Sequence, residues 1–504
     1  MRVTTSEWVA AYGVEDIRNA EAPILARVAE GALMRKAAAG LAVVCSRILK
    51  KRAGHVNGQR VAMLVGSGNN GGDALLAGAW LRRRGVAVQA ILTDESVYQP
   101  GLKAFRDRGG RILSPEEANF YRRAVEVLKG AHLVVDGIVG IGGSGGLCEP
   151  IATLVAEIPE GVSVVAVDLP SGVDPDTGEV GGPHVRADIT VTFGAVKPCL
   201  LLPPACHSAG NIEFVDVGIG SQLPGEPIVR RMTPVGAAAR WPVPRREDHK
   251  YTRGVLGVVA GSNMYPGAAV LVCSGAVRAG AGIVRYIGPE EVTQHVLIAR
   301  PEVVRGSGQV QAWLLGSGVE ADNEQNGEIA RALDSDLPCV VDAGALETCV
   351  RRRTGGRATA GAESVLLTPH TGELARILAI LGHNVGREAV EDRPLYYARQ
   401  VAREVNATVL VKGYTTLIVA PDGKTSSQED GTAWLATAGS GDVLAGIAGA
   451  LMSAGVNAMD AGSMAALVHG RAAIRASRGG PIAAMDIAEA TAKVISDLLQ
   501  LRRQ

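Results

Sequence analysis

The chain has 504 residues, with 51 acidic and 51 basic side chains and a mean hydropathy near zero. Zero net charge without a basic tail argues against a nucleic-acid-binding protein. A hydrophobic content of 47% with 20% charged residues excludes intrinsic disorder, and this length predicts two or more domains.

The N-terminus and the cysteines bear on compartment and metal chemistry. The first twenty residues carry several charges and no long apolar stretch, so no secretory signal is expected. The chain has no apolar run long enough to predict a transmembrane helix. The seven cysteines form no C-x-x-C pair, and Cys199, Cys206 and His207 have no fourth ligand nearby. We therefore expect a cytoplasmic protein with reduced thiols and no membrane or nucleic-acid partner.

The first half alternates between helical and strand patterns. Helical periodicity runs from about residue 6 to 49, and a strand at 61–65 precedes a glycine-rich loop and a helix that reaches residue 84. This order predicts a Rossmann-like, doubly wound α/β sheet with its ligands at the carboxyl ends of the strands. Further apolar runs predict buried parallel strands at 86–92, 132–135, 162–167, 189–193 and 212–217.

A stretch with five prolines, residues 223–246, predicts a linker between a domain at 1–222 and a second domain at 247–504. A second alternation of strand and helix patterns follows the linker. Its predicted strands are 255–259, 283–287, 313–315, 339–341, 365–367, 408–411 and 416–419. Its predicted helices are 268–279, 372–381, 394–405, 443–454, 460–476 and 487–501.

The loop after the first predicted strand matches a dinucleotide pattern. Residues 66–71 read G-x-G-x-x-G, follow a strand and open a helix, and Asp94 lies about twenty residues further on. A reductase-type cofactor site is therefore one interpretation. The loop continues with Gly72 and Asp73, which adds an acid to the site.

Polar residues also follow the later strands of the first half. Asp136, the glycine-rich residues 140–146 and the Asp-Leu-Pro-Ser-Gly run at 168–172 all fall at strand ends. Carboxylate, amide and hydroxyl oxygens are hard donors, which suit a monovalent or alkaline-earth cation. A role in capping turns is the alternative interpretation of Asp136 and Asp168.

These motifs resemble the NAD(P)H-hydrate epimerase domain, the YjeF N-terminal family, over about residues 1–222. The resemblance implies a potassium ion held by Asn70, Asp136 and Ser171, and it implies Asp168 at the hydrated nicotinamide ring. A positioned carboxylate can transfer the proton that epimerisation requires. The residues implied to bind the hydrated dinucleotide are Asn69, Asn70, Gly71, Gly72, Asp73, Gly140, Ile141, Gly142, Gly143, Ser144, Gly145, Gly146 and Asp168.

The most informative segment of the second half is Gly-Ser-Gly-Asp at residues 439–442, directly before a helix of small residues. Glycine-rich backbone at a helix start binds phosphate well. Asp442 repels phosphate, but it suits the removal of a proton from a hydroxyl that faces the phosphate. A helix N-cap is the alternative interpretation of the same four residues.

Further strand-end motifs precede this segment in the second half. They include Gly267 with Ala268, Gly318, the run around His370 at 368–373, and Lys412 at the head of residues 412–416. The small residues leave room for a planar group, and a lysine can reach a nucleotide phosphate. His370 fits either a substrate contact or a structural turn.

The order of these motifs resembles the ribokinase-like ADP/ATP-dependent (S)-NAD(P)H-hydrate dehydratase domain over about residues 249–501. The resemblance implies Asp442 as the base that deprotonates the ring hydroxyl, which then accepts a phosphoryl group and leaves as phosphate. ADP or ATP is the implied co-substrate, with Mg²⁺ on its phosphates. The implied substrate residues are Ala268, Gly318, His370 and Asp442, and the implied nucleotide residues are Lys412, Gly413, Tyr414, Thr415, Thr416 and Gly441.

Together the two resemblances imply a bifunctional NAD(P)H-hydrate repair enzyme, which we expect to form a homo-oligomer. It would interconvert the (R)- and (S)-hydrates and dehydrate the (S)-form. Two alternatives stay open: a small-molecule kinase fused to a Rossmann reductase, and a non-enzymatic protein that binds nucleotides through inherited sites.

Overall fold

A computed structural model describes residues 6–320, 323–356 and 360–503. The chain divides into two compact units. The first holds residues 10–229, and the second holds residues 230 onward together with the segment that ends at Val9. No helix among the described residues is both long and apolar enough to cross a membrane.

The first unit is built on a seven-stranded parallel sheet, of which the apolar runs predicted six strands. Alternate residues of one strand enter two separate cores: Met63 packs in one and Leu64 in the other. Both faces of the sheet are therefore buried, which explains why its strands are nearly continuous apolar runs. In spatial order the strands are Arg111–Leu113, Ala87–Leu92, Arg60–Val65, Leu133–Gly137, Ser163–Val167, Ile189–Phe193 and Asn211–Val215.

Helices cover both faces of this sheet. The predicted continuous helical region at 6–49 is wrong in detail, because Trp8–Ala11 is a strand and Gly31, in a left-handed conformation at φ 71°, separates two helices. The helices of the first unit are Val14–Leu25, Ala32–Ala53, Asn69–Arg83, Gln99–Asp107, Phe120–Lys129 and Ile151–Ala156.

The second unit contains an eleven-stranded mixed sheet. Seven strands run parallel, and the antiparallel pair Thr416–Val419 and Thr425–Gln428 extends one side. In spatial order the strands are Trp8–Ala11, Val229–Met232, Thr425–Gln428, Thr416–Val419, Thr408–Val411, Val365–Leu367, Cys339–Val341, Ala312–Leu315, Val255–Val259, Ile283–Ile287 and Val304–Arg305.

The helices of the second unit include every one that the periodicity predicted, with small shifts at their ends. The stretch predicted as a linker also contains regular structure: Val229–Met232 is a strand and Pro234–Arg240 is a helix capped by the Thr233 hydroxyl. The remaining helices are Pro266–Ala279, Glu290–Ala299, Asn323–Leu333, Leu346–Thr354, Thr371–Ile380, Arg387–Asp392, Pro394–Val405, Ser440–Ser453, Ala458–Ser477 and Ala484–Gln500.

Candidate active sites

A cavity of about 630 Å³ opens in the first unit at the switch point of its sheet. The chain leaves Arg60–Val65 toward one edge and Leu133–Gly137 toward the other, so the loops after these two strands diverge and leave a crevice. The cavity walls include Asn69, Asn70, Asp73, Gly140, Ile141, Gly142, Asp168, Lys197 and Glu21.

Asp168 stands at the end of strand Ser163–Val167 and faces this cavity. Its backbone is in the left-handed region at φ 69°, which is unfavourable for a residue with a side chain. The carboxylate accepts a hydrogen bond from the Phe193 amide at 3.2 Å and contacts the ammonium of Lys197. The surrounding structure therefore fixes a carboxylate at the cavity wall in a strained backbone position.

Lys197 is a residue that the sequence analysis missed. Its side chain is 2% exposed and its ammonium also donates to the Thr192 hydroxyl at 3.2 Å and to the Phe193 carbonyl at 2.9 Å. A buried ammonium is stable only with such partners. The acid and the amine are 29 residues apart in sequence, so no local motif predicts their contact.

Two further acids face the same cavity. Burial, followed by the charge of Asp168, raises the pKa of Asp73 well above its usual value. Burial also raises the pKa of Glu21. One oxygen of Asp73 is buried without a hydrogen-bond partner. The cavity thus holds a carboxylate paired with an ammonium, beside two acids whose pKa is raised by burial.

The predicted cation ligands Asp136 and Ser171 are in contact. The Ser171 hydroxyl donates to one Asp136 oxygen at 2.6 Å, and the Ser171 amide donates to the other at 2.8 Å. Asp136 is fully buried, and burial raises its pKa to about 6. Within the described ranges no basic side chain pairs with it.

Asn70 lies next to this pair. A Cβ added to Gly140 would lie 3.1 Å from the Asn70 amide oxygen, and Val139, the residue before Gly140, donates its amide hydrogen to the Ser171 hydroxyl at 2.9 Å. The Asn70 amide nitrogen is buried without a partner. A buried carboxylate, hydroxyl and amide without a basic neighbour fit a hard monovalent cation.

The predicted glycines of this unit have different surroundings. A Cβ at Gly71 would lie 2.1 Å from the Gly66 carbonyl oxygen, so this glycine permits the close approach of strand and helix. Gly145 and Gly146 pack against Gly181 and Gly182 rather than line the cavity. The residues among the predicted set that do not line the cavity are Gly71, Gly72, Gly143, Ser144, Gly145 and Gly146.

The segment at 439–442 opens the helix Ser440–Ser453, three residues earlier than predicted. Gly439 is left-handed at φ 85°, and no side chain caps the helix. The unsatisfied first-turn amides are free to bind an anion. The N-cap residue of this helix is Gly439, so the segment does form a helix start, and Asp442 is the third residue of the helix.

Asp442 is surrounded by charged side chains. Burial first, and then the negative charges of Asp342 and Glu373, raise the pKa of the Asp442 carboxyl to about 7, against the opposing effects of Lys412 and a Ser317 hydrogen bond. A base with a pKa near the working pH is well matched to proton transfer.

Lys412 lies beneath the same helix start. Its ammonium is 2.8 Å from Asp342 and 3.7 Å from Glu373, and it is 3.5 Å from the position of a Cβ on Gly441. The ammonium is thus in reach of an anion held by the first turn. Ala268 and Gly318 are also neighbours, since a Cβ on Gly318 would lie 2.4 Å from the Ala268 Cβ.

His370 is exposed and also has a structural role. Its Nδ1 accepts from the amides of Gly372 at 3.0 Å and Glu373 at 3.3 Å, which caps the helix Thr371–Ile380. Burial lowers the pKa of His370. Because Nδ1 accepts two amide hydrogens, the ring proton lies on Nε2. The outer nitrogen therefore remains a donor.

A second cavity, of about 460 Å³, lies beside this helix start. Of the predicted nucleotide residues, Lys412, Gly413, Tyr414, Thr416 and Gly441 line it, whereas Thr415 is buried outside the wall. Ala268, Gly318 and Asp442 are also outside this wall, while His370 belongs to it.

Two buried side chains in the wall of the second cavity have unmet hydrogen-bonding capacity. Both amide atoms of Gln428 and the Nε2 atom of His469 have no partner. Burial lowers the pKa of His469 to about 4, so the ring is neutral. Buried polar atoms are normally paired, so these atoms are available to a polar ligand or to water in the cavity.

Comparison with known proteins decides between the interpretations. The family model for NAD(P)H-hydrate dehydratase matches residues 256–495, and the model for the YjeF-related protein N-terminus matches residues 30–199. A bifunctional NAD(P)H-hydrate repair enzyme from Mycobacterium leprae is 44% identical over 478 residues, covering 93% of this chain and 95% of that protein. The chain belongs to this family.

Other bifunctional NAD(P)H-hydrate repair enzymes extend the similarity. The protein from Mycobacterium tuberculosis H37Rv is 43% identical over 452 residues, 88% of this chain and 89% of that one. A crystal structure of the ADP/ATP-dependent NAD(P)H-hydrate dehydratase from Bacillus subtilis, co-crystallised with ATP and Mg²⁺, is 25% identical with a TM-score of 0.48. It covers 53% of this chain and 97% of that chain. The family models and the relatives that match nearly the whole chain confirm family membership, and the two sheets confirm both α/β fold predictions.

Proposed function

We propose that this bifunctional repair enzyme interconverts (R)- and (S)-NAD(P)H hydrate and dehydrates the (S)-form with ADP or ATP. Membership in the repair-enzyme family along nearly the whole chain is the observation that carries the proposal. We assign epimerisation to the domain at residues 1–222 and dehydration to the domain at 247–504. Reduced cysteines suit a cytoplasmic compartment, and a homo-oligomer is expected.

For epimerisation, we assign proton transfer to Asp168. The hydrated nicotinamide would enter the first cavity, where Asp168 forms part of the wall. The remaining predicted contacts to the dinucleotide come from residues 69–73 and 140–146. Lys197 keeps Asp168 anchored by direct contact. A fixed carboxylate at the ring carbon that bears the hydroxyl can accept or return a proton.

We assign the potassium ion to Asn70, Asp136 and Ser171. When bound, this cation supplies a fixed positive charge that stabilises the ionised form of Asp136. The buried carboxylate without a basic partner supports the assignment. The three residues would hold the strand-end loops in the arrangement that forms the cavity.

Potassium should stabilise the folded chain, because an ion that binds only the folded state shifts the unfolding equilibrium by about 2.7 kcal/mol at a hundredfold excess over its Kd. We expect the melting temperature to rise when K⁺ replaces tetramethylammonium, and Ser171→Ala to abolish most of the rise. Thermal unfolding in the two salts measures this. Ser67→Ala is the matched control, since Ser67 is exposed in the same cavity wall. Equal melting temperatures in both salts would contradict the site.

For dehydration, we assign the base to Asp442. The ring hydroxyl loses its proton to Asp442 and attacks the terminal phosphoryl group of the nucleotide, which releases AMP from ADP or ADP from ATP. The carbon–oxygen bond of the new phosphoester then breaks and phosphate leaves, while the neighbouring ring carbon loses a proton to solvent. This elimination restores the ring double bond of the dihydronicotinamide. The free amides at the start of helix Ser440–Ser453 and the Lys412 ammonium would stabilise the charge on the phosphoryl group.

The other predicted residues divide between the two ligands. Ala268, Gly318 and His370 would contact the hydrated ring, and Gly413, Tyr414, Thr415, Thr416 and Gly441 would contact the nucleotide. Among the described residues, no three His, Cys, Asp or Glu side chains are grouped for a metal ion. We expect Mg²⁺ to bind with the nucleotide phosphates, where it would supply charge neutralisation.

The unpartnered amide of Gln428 predicts a contact with the nucleotide. Gln428→Leu should raise the KM for ADP or ATP about fivefold, since a neutral hydrogen bond contributes about 1 kcal/mol. Steady-state kinetics at saturating (S)-hydrate measure the change. Gln294→Leu makes the same substitution on an exposed helix outside the cavity and should leave KM unchanged. An unaltered KM for Gln428→Leu would remove this residue from the nucleotide site.

The proposal is tested by incubating purified chain with (S)-hydrated NADH and either nucleotide. Recovery of dihydronicotinamide absorbance with release of phosphate supports it. A stable phosphoester without recovery would favour the small-molecule kinase alternative. No reaction with either nucleotide would contradict the dehydratase assignment.

A further inference from the structure

Asp342 occupies the centre of the second unit's site, although the sequence analysis gave it no role. It follows strand Cys339–Val341 and is 2% exposed. Its carboxylate accepts hydrogen bonds from the Ser317 hydroxyl, the Thr368 hydroxyl and the Lys412 ammonium, each at 2.8 Å. These donors come from three separate strand-end loops, so one buried acid joins the loops that form the site.

The backbone around Asp342 is tightly constrained. A Cβ on Gly316 would lie 2.1 Å from the Asp342 carbonyl oxygen, and one on Gly344 would lie 2.3 Å from the Val319 carbonyl oxygen. Ala343, the next residue, is left-handed at φ 41°. Strained backbone of this kind persists where the surrounding structure holds it, frequently at functional sites.

The contacts of Asp342 determine where Lys412 lies. Without the 2.8 Å ion pair, the nearest acid to the ammonium would be Glu373, at 3.7 Å. The charged groups that face Asp442 are Asp342, Lys412 and Glu373, which belong to three different elements. The helix Pro266–Ala279 contributes the apolar Leu271 near Gly439. Asp342 therefore influences both the cation and the base of the site.

We propose that Asp342 is a positioning residue for dehydration, which anchors Lys412 below the start of helix Ser440–Ser453 and holds a permanent negative charge behind Asp442. The inference rests on the proposed dehydratase function. Asp342 would then have two roles. It holds Lys412 in place for the nucleotide phosphates, and its charge keeps Asp442 able to bind a proton near neutral pH. Charge-assisted hydrogen bonds to a buried carboxylate are strong enough for this purpose.

Asp342→Asn tests the proposal through the pH profile of dehydration. Loss of the negative charge favours the ionised form of Asp442, so the acidic limb of kcat should move to lower pH by about one unit. The KM for the nucleotide should rise about tenfold, since Lys412 loses a charge-assisted partner. The control is Thr368→Val, which removes one hydrogen bond to Asp342 and leaves the charge of Asp342 intact. This variant should leave the acidic limb of the kcat pH profile in place.

The outcomes separate this proposal from the proposed function. If the wild-type chain does not dehydrate (S)-hydrate, the function fails. If the wild type is active and a folded Asp342→Asn variant loses only thermal stability or overall rate, with an unmoved limb, the positioning role is overturned. Should Asp342→Asn not fold, Lys412→Met tests the same ion pair by removing its positive charge. The negative charge of Asp342 is then unpaired, so the acidic limb of the kcat pH profile should move to higher pH. An unmoved limb would overturn the proposal.

Discussion

Replacing Asp442 with Asn is expected to lower the kcat of dehydration by about 10²–10⁴-fold, the usual contribution of a general base. The amide cannot accept the hydroxyl proton, while the helix start and Lys412 remain able to hold the nucleotide. Epimerisation should be unaffected. The measurement is kcat for (S)-hydrate with saturating nucleotide, alongside (R)/(S) interconversion without nucleotide.

The pH dependence follows from the raised pKa of Asp442. Because burial, and then Asp342, raise this pKa to about 7, the base is mostly protonated below that pH. The kcat of the wild type should therefore increase as the pH rises through about 7.

Stability gives an independent check on Asp442. An acid whose folded pKa exceeds its unfolded value of 3.8 destabilises the fold increasingly as pH rises through the interval up to about 7. Asp442→Asn removes this effect, so the variant should be at least as stable as the wild type at pH 8. A variant that is folded but as active as the wild type would exclude Asp442 as the base.

A matched control tests whether the helix position itself matters. Asp486 is also the third residue of a helix, Ala484–Gln500, and its carboxylate accepts from the Ala483 amide at 2.8 Å. Asp486→Asn keeps an acceptor for the Ala483 amide but removes the negative charge at the helix start, so it should lower stability by at most about 1 kcal/mol, with little change in kcat. Equal losses of kcat in both variants would point to a structural effect.

The second large effect is expected for Asp168→Asn, which should abolish epimerisation and also destabilise the fold. The substitution leaves the buried Lys197 ammonium without its carboxylate, and breaking a buried ion pair costs about 3–5 kcal/mol. Chemical denaturation measures the stability loss, and interconversion of the purified hydrates measures activity.

The double variant Asp168→Asn with Lys197→Met separates the two effects. Removal of the buried charge should restore much of the stability, because an uncharged side chain needs no carboxylate partner. Epimerisation should stay absent, since the carboxylate is still missing. Recovery of epimerisation in the stabilised double variant would remove Asp168 from the catalytic assignment.

The sheets were largely predictable because parallel strands buried on both faces are short, nearly continuous apolar runs. Arg111–Leu113 escaped prediction, since it begins with an exposed arginine and therefore does not form a continuous apolar run. Thr425–Gln428 escaped because the sequence Thr-Ser-Ser-Gln is polar although every residue in it is buried. The strand Trp8–Ala11 lies inside a helical pattern, and its pairing with Val229–Met232 depends on residues over two hundred positions away.

The sequence could point to candidate residues where a strand end or a helix start carries a recognisable motif, as at Asn70, His370 and Asp442, and the roles of these residues stay predictions. Partners from distant strands were not. Lys412 and Asp342 are 70 residues apart, and their contact depends on the spatial order of the strands. The sequence also could not separate glycines that line a cavity, such as Gly140, from those that permit backbone packing, such as Gly71.

Bifunctional repair by one chain is tested most directly by giving the full-length protein (R)-hydrated NADH with ADP or ATP and separating the products by chromatography. Protein-free solution and Asp168→Asn serve as controls for uncatalysed epimerisation. We predict that the wild type converts the (R)-form to NADH faster than either control, and that Asp442→Asn accumulates the (S)-form. Bifunctional repair would be contradicted if the wild type converts the (S)-hydrate but consumes the (R)-hydrate no faster than the controls do.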